Sequence, residues 1–206
     1  MHRVRTAPPP GGGRSARACR LEAVRAHLPT PTGGAVLALV AGAALLARSE
    51  LQHGFLAAVV DGFDLVVHEA GHPIFGLLGS RFLMFLGGTL LQLALPVAAM
   101  VAFTARRQPA SLAAAAVWLG VNLVNVGTYA ADAEARALPL LAADASAHDW
   151  WNMLGMLGLR AHASAIGGTI SAVGWGLQAA APAWALGRWL SARLDAAGRA
   201  SADLPS

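Results

Sequence analysis

The residue types with the most chemistry in this chain sit together between Asp64 and Phe75, in the stretch DLVVHEAGHPIF. His68, Glu69 and His72 form the pattern H-E-x-x-H. On a helix, residues four apart share a face, so both imidazoles can reach one ion; zinc takes histidine nitrogen at about 2.0–2.1 Å. Glu69 is then placed to take a proton from a water that the metal has acidified. Upstream, Asp61 and Asp64 continue the same stripe at spacings of three and four residues. Asp64 is expected to accept the second ring N–H of His68, as metal-bound histidines require. Pro73 removes the amide that would bond back to Glu69, and a kink is expected there.

Catalysis by such a pair needs a third protein ligand and an open position. Asn122, Asn125, Tyr129 and Asp132 are spaced three, four and three, again one helical face. Asp132, at the end of that face, is the first choice for third ligand, with His148 as the alternative. Asp149 is a further rival in the same AHDWWN segment. The competing account of that segment is an interfacial belt, with Trp150 and Trp151 at headgroup level. Gln92 lies near Gly87, Gly88 and Thr89, and is expected to hydrogen-bond an extended substrate strand; close helix packing explains the glycines equally well. Asp64, Gln92, Asn122 and Asn125 are therefore the expected supporting or substrate-contacting residues.

These residues are embedded in apolar sequence. Of 206 residues, 56% are hydrophobic and 13% charged, against about 25% charged in soluble domains. Five apolar stretches approach the roughly 20 residues that a helix needs to cross a bilayer. They run over about 33–47, 54–78, 82–103, 110–131 and 163–187, the second carrying the histidines. The expectation is an all-α integral membrane protein, a bundle of about five transmembrane helices with H-E-x-x-H inside the second. Gly168, Ala172 and Gly176 are expected to form a close helix contact in the last. Residues 1–32 are expected to be a disordered basic tail, 33–190 a polytopic membrane domain, and 191–206 a polar C-terminal tail. With one cysteine, Cys19, neither a disulfide framework nor a thiolate metal site is available. The net charge of +4 comes from 15 basic residues, all Arg. Juxtamembrane arginines set topology or touch anionic lipid, so no nucleic-acid partner is expected. Five simple crossings would put the N-terminal side in the cytoplasm by nine arginines to six, a count that a re-entrant segment would overturn.

HEAGH within an apolar span, then GGTLLQLALP and a later polar span ending in Asp, resembles the site-2 protease family of intramembrane zinc metallopeptidases, in its compact bacterial form. The resemblance covers roughly residues 54–140. It implies a bacterial inner-membrane protein in which His68, His72 and an Asp from a later helix, matched by Asp132 in YAADAEARALPLL, bind Zn²⁺. It also implies that Glu69 activates water to cut a transmembrane or membrane-adjacent peptide. The chain departs from the better-known members in lacking both N-x-x-P-x-x-x-x-D-G and a PDZ domain. The alternatives are a metal-binding membrane protein without catalysis, such as a transporter or sensor, and a catalytically inactive scaffold.

Overall fold

In the computed structural model, which describes residues 28–138 and 147–202, every element is helical among the described residues. Helix α1 spans Gly33–Leu51, α2 Phe55–Gly76, α3 Arg81–Ala105 and α4 Pro109–Ala131. A short α5, Asp149–Met156, and a single turn at Arg160–His162 lead into the 40-residue α6, Ala163–Ala202. The starts follow local sequence: Thr32 and Ser80 accept N–H groups from Ala35 and Leu83 through their hydroxyls, and Pro109 occupies the first turn of α4. Such side chains satisfy amides that have no partner within the helix, and proline there loses nothing. Helix α2 continues through Pro73 to Gly76. The polar tail expected after residue 190 continues α6 as helix to Ala202. Up to residue 27, the tail expected before the first helix lies outside the described residues.

Helices α1, α3 and α4 are each long and apolar enough to cross a membrane. Helix α2 has 22 residues but carries three carboxylates, Asp61, Asp64 and Glu69. Large apolar side chains face outward around the bundle, including Leu37, Phe55, Val66, Ile74, Val101 and Val173. A soluble monomer seldom exposes so continuous an apolar surface. The described architecture is that of an all-helical membrane protein.

Glycines set how closely the helices approach. In the α4–α6 seam, Gly120 packs on Gly174 and Gln178, and Gly127 packs on Gly167 and Ser171, so the two helices run antiparallel. The small-residue face of α6 is thus the one containing Gly167 and Gly174. Gly168 and Gly176, expected at the contact, face open space. Each helical residue turns the chain by about 100°, so a register one residue out selects another face. Helices α2 and α3 are also antiparallel, with Gly71 against Gly87 and Gly88.

The bundle has two distinct ends. At one, Val36 of α1 is buried with Ala113, Ala116 and Val117 of α4 and Ala181 and Ala185 of α6. There Gly33 lies against the Trp189 indole, and Arg188 donates to the Leu28 carbonyl at 2.5 Å. At the other, Ala133, Leu154 and Ala163 form a second small core beneath Trp150 and Trp151.

Candidate metal centre

The candidate centre is built at this second end, where α2 meets the first half of α3 and the last turns of α4. His68 is buried and His72 half-buried, one turn apart on α2, with ring centroids 4.9 Å apart. Space for the His68 ring exists because residue 88 is glycine: a Cβ there would sit 2.5 Å from His68 Nε2. Each Nδ1 is occupied, His68 Nδ1 with Gln92 Oε1 at 3.0 Å and His72 Nδ1 with the Met84 carbonyl at 2.9 Å. Both acceptors hold the proton on Nδ1 and leave Nε2 with its lone pair, the arrangement that orients a metal-binding imidazole. The Gln92 amide in turn donates to Asn125 Oδ1 at 3.2 Å, and Asn125 Nδ2 reaches Asp61 Oδ1 at 3.5 Å.

Both Nε2 atoms converge on one carboxylate oxygen, Asp149 Oδ2, at 3.0 Å from His68 and 3.4 Å from His72. Asp149 opens α5 and is buried. Tyr129 fixes it from α4: the phenolic oxygen accepts the Asp149 N–H at 3.0 Å and lies 3.4 Å from Oδ2 as a donor. The Tyr129 ring stacks on His148 at 4.2 Å between centroids. His148 caps α5, accepting the Trp151 N–H on Nδ1 at 3.2 Å, and points Nε2 at Asp132 Oδ2, 3.5 Å away. Burial pushes the His148 imidazole down from its ordinary range, against the opposing pull of Asp132, which agrees with an unprotonated Nδ1 serving as acceptor.

The structure brings His68 and His72 together with Asp149 and leaves Asp132 elsewhere. Asp132 caps the end of α4 and accepts the N–H groups of Ala137 and Leu138 at 2.9 and 3.0 Å. His148, the alternative third ligand, turns its two ring nitrogens to Trp151 and Asp132 and is not in the group that the histidine pair forms. Asp64 does not orient His68. It accepts the Trp118 indole N–H at 3.1 Å, and Gln92 takes the role expected of it. Asn122 is fully buried, its amide bonded to the Trp118 carbonyl one turn back, and Asn125 belongs to the Gln92 chain. Asp149 had a signal in the sequence, an acid beside a histidine in AHDWWN, but the tryptophans gave that segment a competing explanation.

The ligand atoms of His68, His72 and Asp149 all lie within 4.8 Å of one another. Tetrahedral zinc with bonds of 2.0–2.2 Å needs ligand atoms roughly 3.3 Å apart, close to the distances found. Two imidazole nitrogens and a carboxylate oxygen are a donor set that zinc accepts in catalytic sites. The group lines a cavity of about 880 Å³ whose wall also includes Glu69, Asp61, Gln92, Asn125 and Tyr129. Glu69 is exposed to that space, and its carboxylate makes no hydrogen bond to another described residue. No protein-family model, curated protein or solved structure matches the chain.

Proposed function

We propose that this chain is a membrane-embedded zinc endopeptidase of the site-2 protease kind, multi-pass in a bacterial inner membrane, acting on a transmembrane or membrane-adjacent peptide. Five long helices, α1 to α4 and α6, form its membrane-embedded bundle, and α2 bears the catalytic motif. The observation that carries the reading is the convergence of His68, His72 and Asp149 beside an unbonded Glu69 in one cavity. His68, His72 and Asp149 would hold the metal. When bound, zinc supplies Lewis acidity, acidifying a water and polarising the scissile carbonyl. Glu69 receives the proton of the attacking water and delivers it to the leaving amine nitrogen, as the C–N bond breaks and the C–O bond forms. Gln92 and Met84 keep the histidine rings turned toward the ion, and Tyr129 keeps Asp149 there. The cavity's polar wall keeps water beside the peptide within surroundings that otherwise exclude it. A transporter or sensor that only held metal would have no use for the adjacent glutamate.

Elemental analysis of detergent-purified protein tests this reading. Wild type and Glu69→Gln should each hold one zinc per chain, with cleavage of a reconstituted membrane peptide lost only in the second. His68→Ala and Asp149→Ala should hold none, and Asp132→Ala should keep it. No zinc in wild type would end the peptidase reading, whereas zinc with unimpaired function in Glu69→Gln would leave a non-catalytic metal protein.

A further inference from the structure

The cavity that holds His68, His72 and Asp149 extends along α2 to a second set of acids. Its wall carries four carboxylates, Glu50, Asp61, Glu69 and Asp149, and, among the described residues, no arginine. Yet the basic residues of the chain are all arginine and outnumber its acids 15 to 11. Asp149 belongs to the metal group and Glu69 is the proton carrier of the proposed reaction, which leaves Glu50 and Asp61 without a counter-charge. The two are close enough to repel one another. Asp61 receives the Asn125 amide at 3.5 Å. Glu50 Oε1 receives the Gln178 amide at 3.3 Å, while Glu50 Oε2 and Gln178 Oε1 are buried with no hydrogen bond to another described residue. Gln178 is itself 5% exposed, and α4 holds it in place through Gly120, where a Cβ would sit 2.6 Å from its Cγ. His53, exposed in the turn between α1 and α2, lies on the same wall and makes no ion pair with either acid among the described residues. A half-buried carboxylate without a cation is costly, and more so within a bilayer.

We propose that Glu50 and Asp61, with Gln178, form an anionic subsite that takes a basic side chain of the peptide, arginine foremost. The peptide as ligand rests on the peptidase reading. A divalent ion is the poorer occupant, because among the described residues the metal-ligating groups that gather in threes are His68, His72 and Asp149. Glu50 and Asp61 bring no third ligand of that kind. A guanidinium suits two separate acceptors, since its five N–H groups form a planar fork that reaches more than one oxygen at once. It supplies the donors that Glu50 Oε2 and Gln178 Oε1 lack. The register along α2 gives the position. Asp61 and His68 are seven residues apart, about two turns on one face, so roughly 10 Å separates their levels. An extended peptide covers that distance in about three residues, which places the basic residue about three from the bond that is cut. Arginine and lysine gather in the loops beside membrane spans, so the subsite favours the flank of a span over its apolar middle.

Peptide binding to the full chain carrying Glu69→Gln, in detergent, tests the subsite. The probes are short fluorescein-labelled alanine–leucine peptides that differ at one position, arginine, glutamine or glutamate, with protein-free micelles as the blank. The arginine peptide should bind about tenfold more tightly than the glutamine peptide, the scale of one charge-assisted hydrogen bond. The glutamate peptide should bind more weakly than either. Adding Glu50→Gln and Asp61→Asn should remove the difference between arginine and glutamine. Equal affinity for those two peptides, binding of none, or an arginine preference that survives both substitutions overturns the proposal. The first comparison uses one protein and two peptides, so it decides the matter even where the triple variant fails to fold. Cleavage of the same peptides by zinc-loaded wild type separates the two readings. An arginine preference in binding with neither peptide cut counts against the peptidase reading alone, and equal binding of two peptides that are both cut counts against the subsite alone.

Discussion

Asp149 and Asp132 show what residue spacing does and does not determine. The H-E-x-x-H ligands are four residues apart on one helix, so helix geometry alone sets the distance between them. The carboxylate that meets the two histidines, Asp149, comes from a separate short helix, and its position depends on how α5 packs against α3 and α4, which no local periodicity records. Asp132 satisfied the helical spacing but serves the backbone of residues 137 and 138. The same reasoning identifies the supporting residues whose loss should be measurable. Gln92→Ala and Tyr129→Phe should each lower zinc affinity about 10–100-fold, the usual effect of removing a group that orients a ligand. Competition with a chromophoric chelator checks this, and affinity unchanged in both would mean that neither side chain orients the centre. Gly88→Ala should abolish zinc binding while helix content by circular dichroism is retained, because the new methyl occupies the His68 ring's place; stoichiometric zinc in that variant would show that α3 can yield.

Helices were the most legible level. All five apolar stretches became helices, and hydroxyl caps and prolines marked several of the starts. Which face of each helix meets its neighbour was less legible, because α6 carries small residues on more than one face. Only the partner decides between them, and α4 presents Gly120 and Gly127 to Gly174 and Gly167. A difference in stability follows. Gly167→Ala and Gly174→Ala should each destabilise the bundle by about 1–3 kcal/mol through overpacking against α4 backbone. Gly168→Ala, in open space, should be neutral or slightly stabilising, since alanine is the better helix former. Thermal unfolding in one detergent compares the three, and a Gly168→Ala as damaging as Gly167→Ala would contradict the seam described.

At the scale of the molecule, the apolar surface and the excess of arginine over acid were visible in composition, and they correctly suggested a membrane protein. Which helix ends lie together was not visible there, and packing supplies it by joining α1's first residues to α6. A metal held by His68, His72 and Asp149 would link four helices, α2 directly to α5, with α3 and α4 tied in through Gln92 and Tyr129. Zinc should therefore stabilise the whole bundle. At a free concentration one hundred times its dissociation constant, the gain is about 2.7 kcal/mol. Wild type should lose melting temperature on chelation and recover it on zinc addition, while His68→Ala should respond to neither; an unresponsive wild type would show that the ion does not brace the fold.

The Gly71 contact also constrains inheritance. Two of the five positions in H-E-x-x-H are conventionally free, yet in this chain one of them is the residue pressed against the backbone of Gly87 and Gly88. Descendants that keep this helix crossing are confined to glycine at position 71, and a lineage that enlarges it must also displace α3. Positions 71, 87 and 88 should therefore drift together across related sequences, while Ala70, exposed beside them, drifts alone.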